Sequence, residues 1–160
     1  MKDAEIEFSD QEMGFATIVS DMITSYRKVS VPLWESIGLT SGQPKILRYL
    51  VQHNGCNQKE ISEQCNVEGA TVTSLLVGLE KKGLVERRVL ENNRREKRIY
   101  LTEKGWAKAE ELPAAFRRLH QICSIGLSED EVKLFMELCK RVGESLQEQR
   151  EADLELLCMV

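Results

Sequence analysis

Between residues 58 and 104 the apolar side chains change their spacing once, and few folds accommodate that change. Before Gly83 the period is helical. Ile61 and Cys65 stand four apart on a short helix opened by Gln58, Val67 pins a tight turn, and Val72, Leu75, Leu76 and Leu79 then recur three and four apart on one helical face. The opposite face carries Ala70, Thr71, Thr73, Ser74, Val77, Gly78 and Lys81, small enough for the most part that another surface can come close. Gly83 fits the C-terminal glycine of that helix, because a left-handed backbone costs glycine least. After it the period is two. Leu84 and Glu86 alternate with Val85 and Arg87, and Ile99 and Leu101 alternate with Arg98 and Tyr100, in runs short enough for strands. Between them lies LENNRREK, whose two Asn favour a turn and whose Arg94, Arg95 and Lys97, with Arg98 directly after it, crowd cations at its tip.

Two short helices followed by a basic hairpin make a winged helix-turn-helix, so the expected class is mainly α with a small β-hairpin wing. Charge agrees. Residues 81–104 hold nine Lys or Arg against four Glu, a local balance of +5 in a chain whose total is -4. An acidic protein with one basic patch has a localised anion-binding surface, and at a hairpin tip the expected anion is phosphate.

These residues resemble the MarR family of bacterial transcriptional regulators. The resemblance rests on ATVTSLLVGLEKKGLVERR, on the wing NNRREKRIYLTEKG and on the lead-in IGLTSGQPKILRYL; the order and spacing of helices extend it over nearly the whole chain. It implies a cytoplasmic homodimer that binds double-stranded DNA, with residues 1–37 as an N-terminal dimerisation helix, 38–104 as the winged helix-turn-helix and 105–160 as C-terminal dimerisation helices. The implied regulator is a repressor. Its recognition helix would place Thr71, Thr73 and Ser74 near base edges in a major groove. Gln58, Lys59, the capping residues 40–43, Lys81, Arg87, Arg94, Lys97 and Arg98 would serve phosphates, and Arg95 at the wing tip would enter the adjacent minor groove.

Three departures from the family pattern involve four positions. Ser74 stands where many members carry Arg, and Val77 and Gly78 stand where an acidic-basic pair is usual. Asn93 replaces the Asp that would orient Arg95 through an ion pair. Gly78 inside a helix also costs about 1 kcal/mol relative to Ala.

The flanking segments are helical. Residues 11–37 carry Phe15, Val19, Met22, Tyr26, Val29 and Leu33 as a seam for a partner helix or, as such stripes more often are, for the chain's own core. Pro32 is expected to kink the helix or end its regular part near Ser30, the kink being what the family resemblance favours. Thr40 or Ser41 is the expected cap of the next helix, and Pro44 fits its first turn. In the family Cys56-Asn57 forms a strand stub beside the wing. Thr102 should cap a helix that Pro113 bends and Gly126 closes, and Ser128 with Glu131 makes a capping box for the last one. There Val132, Phe135, Cys139, Val142 and Leu146 follow an a/d register, and the apolar tail EADLELLCMV is expected on the first helix of a second subunit.

The resemblance also implies a small aromatic or anionic effector in a crevice between the dimerisation helices and the DNA-binding lobe, with Tyr26, Trp34, Trp106 and His120 as candidate lining. Aromatics on amphipathic helices are more often plain core residues. No cysteine lies in residues 1–55, so the peroxide-sensing arrangement found in the family is absent. Cys56 and Cys65 with His53 suggest a metal or redox cluster, against their being plain core residues; Cys123, Cys139 and Cys158 carry no such pattern. Five irregularly spaced cysteines fit reduced thiols, and an acidic N-terminus with no long apolar run fits neither a signal peptide nor a membrane span. With two histidines, no glycine-rich phosphate loop, no nucleophile elbow and no paired-carboxylate site, the chain reads as no enzyme and as needing no cofactor. The alternatives to a DNA-binding regulator are a winged-helix module for protein contacts and a cysteine-based redox or metal sensor.

Overall fold

The computed structural model describes the backbone of residues 10–90 and 93–158 and the side chains of residues 14–89 and 97–149. The elements run α1 (Asp10–Ser36), α2 (Gln43–Gln52), β1 (Cys56–Asn57), α3 (Gln58–Gln64), α4 (Gly69–Lys81), β2 (Val85–Leu90), β3 (Asn93–Leu101), α5 (Glu103–Cys123) and α6 (Glu129–Cys158). The fold is mainly helical with a small antiparallel sheet, as the spacing predicts. Two compact units divide the chain, residues 1–119 and 120–160, and the division falls within α5.

In the first unit, Ile61, Cys65, Val72, Leu76 and Leu79 are all buried, together with Ile46, Leu47 and Leu50 of α2 and Leu112, Ala115 and Leu119 of α5. α4 ends as expected. Gly83 has φ +68°, its N–H donates to the Glu80 carbonyl (2.8 Å), and the Leu84 N–H reaches back to Leu79 O (3.0 Å). This six-to-one closure satisfies carbonyls that the helix end leaves open. It also takes Leu84 out of the strand that its alternation suggests: Leu84 belongs to the turn, and β2 begins at Val85.

The sheet order is β1-β3-β2, so the stub Cys56–Asn57 pairs with β3 as the resemblance implies. Register sets Val85 opposite Leu101 and Arg87 opposite Ile99, with an irregularity between Val89 and Leu90. Arg98 is paired with Arg88 on one side and Asn57 on the other. It therefore lies in the body of the sheet and not at the wing tip, because β3 is longer than the run of alternating residues that suggested it.

α1 continues through Pro32 to Ser36, which excludes an end near Ser30, the less favoured of the two alternatives. One expectation about a helix end is corrected. α2 is not capped by Thr40 or Ser41: its N-cap is Gly42 at φ +87°, without a side-chain cap, and the Gln43 side chain instead accepts the Thr40 N–H (3.0 Å). Pro44 does sit in the first turn. A capping box not anticipated from sequence opens α3, where Asn57 Oδ1 accepts the Glu60 N–H (2.9 Å) and a Glu60 carboxylate oxygen accepts the Asn57 N–H (2.7 Å). Thr102 caps α5, accepting the Gly105 N–H (3.0 Å) and donating to Gly83 O (2.6 Å).

The helical seam of α1 splits. Trp34 is buried and Leu33 and Ile37 pack on the core, but Phe15, Ile18, Met22, Ile23, Tyr26 and Val29 are exposed. In the second unit, the Ser128–Glu131 capping box forms, and its hydrogen bonds hold the exposed Glu131 carboxyl below its ordinary range. Along α6, Leu134, Phe135, Met136, Leu138, Val142 and Leu146 are all exposed. The side chains of EADLELLCMV and the expected contact of that tail lie outside the described residues.

Candidate nucleic-acid interface

α3 and α4 are joined by a turn in which Asn66 takes φ +45° and the Ser62 hydroxyl donates to Val67 O (2.6 Å). Gln58, at the start of α3, reaches across and donates to Thr73 Oγ1 (2.6 Å) and Gly69 O (3.3 Å). Thr73 gives its own hydroxyl proton to Gly69 O (2.8 Å), and Ser74 gives its proton to Ala70 O (3.2 Å). Toward an approaching ligand these two hydroxyls therefore offer lone pairs, and Thr73 also a methyl group. The Thr71 hydroxyl makes no hydrogen bond among the described residues, which leaves its proton available. Ala70, Thr71, Thr73, Ser74 and Val77 form one exposed face of α4, while Val72, Leu76 and Leu79 bury the other.

Both edges of α4 between those faces are held. On one edge, a Cβ on Gly78 would stand 2.7 Å from the Gln43 Nε2, and one on Gly42 would stand 2.9 Å from Leu75 Cδ1. Gln43 is buried, and its Oε1 accepts from Lys82 Nζ (2.8 Å); the same ammonium donates to Gly38 O (2.8 Å). On the other edge, Arg87 Nε of β2 lies 3.2 Å from Glu80 Oε2. Of the residues 40–43 expected on phosphates, Gln43 is instead buried and turned to Thr40 and Lys82. Sequence reasoning missed Lys82, since neither an apolar period nor a charge count separates an anchored Lys82 from its neighbour, the exposed Lys81.

The cations expected on phosphates fall into three groups. Lys59, Lys81 and Lys97 are exposed; Lys59 Nζ lies 3.6 Å from Glu63, a loose surface pair. Arg87 and Arg98 turn into the lobe, Arg87 to Glu80 and Arg98 to Gly55 O (3.2 Å) and Glu60 (3.9 Å). Arg88, not singled out from sequence, pairs with Glu86 and lies over the Tyr100 ring, 4.6 Å from its centroid. The side chains of Arg94 and Arg95 lie outside the described residues.

A crevice of about 330 Å³ opens beside the α2 turn, lined by Tyr26, Trp34, Ser41, Gly42, Pro44, Lys45, Arg48 and Phe116. Trp34 meets Phe116 edge to face, centroids 5.0 Å apart. Two of the aromatic candidates, Tyr26 and Trp34, are thus brought together. Trp106 and His120 are not: both are exposed and neither lines the crevice. Trp106 precedes Phe116 by ten residues, roughly 15 Å along the helix axis, so Phe116 takes the place expected of it. Lys45 and Arg48, three apart on the α2 face opposite Ile46, Leu47 and Leu50, add the cationic side of the crevice; that spacing was available in the sequence.

Cys56 and Cys65 are both buried. Burial above all, and then the nearby Glu60 carboxylate, pushes the Cys56 thiol up to about 11; burial raises Cys65 as well. A thiol held protonated is a poor nucleophile and a poor metal ligand. His53 stacks on Tyr49 instead (4.5 Å), and no trio of His, Cys, Asp or Glu able to hold a metal occurs among the described residues. The cluster suggested by His53, Cys56 and Cys65 therefore resolves into two core thiols and a stacked imidazole. No helix among the described residues is long and apolar enough to cross a membrane.

Comparison with known proteins agrees with this geometry. The model of the MarR family matches residues 39–97. The HTH-type transcriptional repressor YetL of Bacillus subtilis is 32% identical over 112 residues, covering 68% of this chain and 66% of that protein, so the match spans just under two thirds of its length. Among solved structures, the transcriptional regulator SlyA is 25% identical with a TM-score of 0.72, covering 88% of this chain and 96% of that one. A cysteine-to-serine mutant of MarR from E. coli, solved in complex with operator DNA, shares the fold with a TM-score of 0.76 at 22% identity, over 86% of this chain and 99% of that one. With its helix-turn-helix, stub, wing and flanking helices in this order, the chain belongs to the MarR family of winged helix-turn-helix transcriptional regulators.

Proposed function

We propose that this chain acts as a cytoplasmic homodimeric repressor that binds a pseudo-palindromic operator, with one α4 in each of two successive major grooves and each wing reaching the adjacent backbone and minor groove. The observation that carries this reading is the exposed face of α4, where Thr71, Thr73, Ser74 and Val77 present hydroxyls and methyls without bulk. Lys59, Lys81 and Lys97 flank that face as exposed phosphate partners, Arg94 and Arg95 extend the wing, and Arg87 and Arg98 serve as internal anchors of the wing. The described apolar side chains of α1 and α6 left exposed in a single chain are supplied for pairing with a second copy. E. coli MarR, which has this fold, was solved on operator DNA, and YetL is named a repressor.

An effector reading is favoured by the crevice. Tyr26, Trp34 and Phe116 offer aromatic walls, and Lys45 and Arg48 offer cations, a combination suited to a small aromatic anion. Ser41, Gly42 and Pro44 belong to the same turn as Gln43, which touches α4. An occupant would change DNA affinity only by preferring one arrangement of that turn.

The test is selection of duplexes from random sequence, followed by anisotropy titrations of wild type and Arg95→Ala at two salt concentrations, on protein whose mass is checked by light scattering. The expected result is a dimer that enriches a palindrome, with affinity falling steeply with salt and weakened by the substitution. A wild type that enriches no duplex at low salt refutes the operator reading, and a monomer refutes the two-fold site.

A further inference from the structure

We propose that Gln43 is a positioning residue for the recognition helix: it sets the rotation of α4 about its own axis, and Gly78 is the gap that admits it. This rests on the operator reading above. At 100° per residue, Leu75, Gly78 and Lys82 fall within about 60° of one another, on the edge between the buried stripe of Val72, Leu76 and Leu79 and the exposed face of Ala70, Thr73 and Val77. The α2 turn engages that edge along its length. Gly42 approaches Leu75 so closely that a Cβ would meet its Cδ1 at 2.9 Å. The Gln43 Nε2 stands 2.7 Å from where a Gly78 Cβ would be, and its Oε1 holds Lys82 Nζ at 2.8 Å.

Gln43 is itself immobilised. It is 2% exposed, and its oxygen is shared by the Thr40 N–H (3.0 Å) and the Lys82 ammonium. On the opposite edge, Arg87 Nε lies 3.2 Å from Glu80 Oε2 as a charge pair without hydrogen-bond geometry. Contacts on both edges oppose rolling, and rolling by one residue's angle would carry Thr71 or Ser74 away from a base edge while leaving phosphate contacts on neighbouring elements in place. The glycine in the helix interior, unfavourable by propensity, thus has a cause. Any side chain at position 78 would displace the amide that orients the helix.

The experiment uses the full chain and the duplex enriched by wild type. Operator affinity, non-specific affinity at low salt and thermal midpoint are measured for Gln43→Ala, Gln43→Glu, Gly78→Ala and the double substitution Gln43→Ala with Gly78→Ala. Expected is a loss of operator affinity of about tenfold or more for Gln43→Ala with non-specific affinity unchanged, because only base contacts need the rotation. Gln43→Glu retains most of the affinity, since a carboxylate oxygen accepts from the same two donors. Gly78→Ala weakens operator binding in the wild-type background and has no further effect once Gln43 is Ala, the non-additivity of groups in contact. Operator affinity unchanged in Gln43→Ala overturns the proposal, as does equal loss of specific and non-specific binding, or a Glu variant no better than Ala. If Gln43→Ala does not fold, Gly78→Ala, a substitution toward a better helix former, carries the test alone: unchanged operator affinity overturns the role. Failure of the operator reading itself is separately visible, as a wild type that enriches no duplex.

Discussion

Gly105→Ala puts helix propensity and tertiary packing in direct opposition. Gly105 lies in the first turn of α5, where Ala is the better helix former and propensity alone predicts stabilisation of up to about 1 kcal/mol. A Cβ there would stand 1.9 Å from the Leu84 carbonyl oxygen and 3.2 Å from Leu101 Cδ2. The obstacle is backbone, so it does not swing aside. To reach even 3.0 Å the carbonyl must retreat by 1.1 Å, the difference between 3.0 and 1.9. That carbonyl accepts the Thr102 N–H (3.1 Å), Thr102 caps α5, and Leu84 and Leu101 are both buried at the root of the wing. Overpacking of this kind costs about 1–3 kcal/mol, and the lost backbone hydrogen bond about 1 more. After the propensity gain, the net is a destabilisation of about 2 kcal/mol, or roughly 4–8 °C in Tm for a chain of this size. Urea denaturation of both proteins at one fixed protein concentration measures it, since the stability of the proposed dimer would depend on concentration. A Gly105→Ala protein as stable as wild type, or more so, refutes the packing argument.

Three further outcomes are expected. Because the Cys56 thiol is pushed up to about 11 against an ordinary 9.0, its thiolate fraction near neutral pH is about 100-fold below that of an ordinary thiol; native-state alkylation with iodoacetamide, followed by mass spectrometry, should label it at least that much more slowly than a small free thiol, and labelling at the free-thiol rate contradicts the burial. The folded state holds this proton more tightly than the unfolded one, so the Cys56 contribution to stability is intact below about pH 9 and is lost as pH rises toward 11. In the crevice, benzoate should quench Trp34 fluorescence in a Trp106→Phe background and bind about tenfold more weakly to Arg48→Ala, whereas benzamide should show no such dependence; equal binding of the two probes removes the cationic side of the site.

Much of the lobe was legible because its information is local. The change of period at Gly83 marks the end of α4, and the left-handed glycine is found there. Alternation around Ile99 and Leu101 locates the sheet, and Thr102 with Gly105 marks the start of α5. These features depend on residues a few positions apart, where backbone geometry and side-chain period act directly. The exposed face of α4 is legible for the same reason, as the complement of its buried stripe.

Other assignments required the chain to be folded. Lys81 and Lys82 are indistinguishable as letters, yet one is exposed and the other is tied to Gly38 and Gln43, some forty positions away in sequence. Arg87 and Arg98 count as wing cations by composition, but register and the approach of Glu80 and Glu60 turn them inward. Trp106 and Phe116 share one amphipathic helix, and only the position of α1 against α5 decides which of them meets Trp34. The α2 cap moved from Thr40 to Gly42 because Gln43 turns back to the Thr40 N–H and forward to α4. The sequence by itself determined the elements, their order and the face that α4 leaves open, since these follow from periods of 3.6 and 2 and from the backbone preferences of single residues. Tertiary structure alone decided which charges are spent inside the lobe, which aromatics meet and what holds α4 in place, because each depends on two distant residues arriving within a few ångströms of each other.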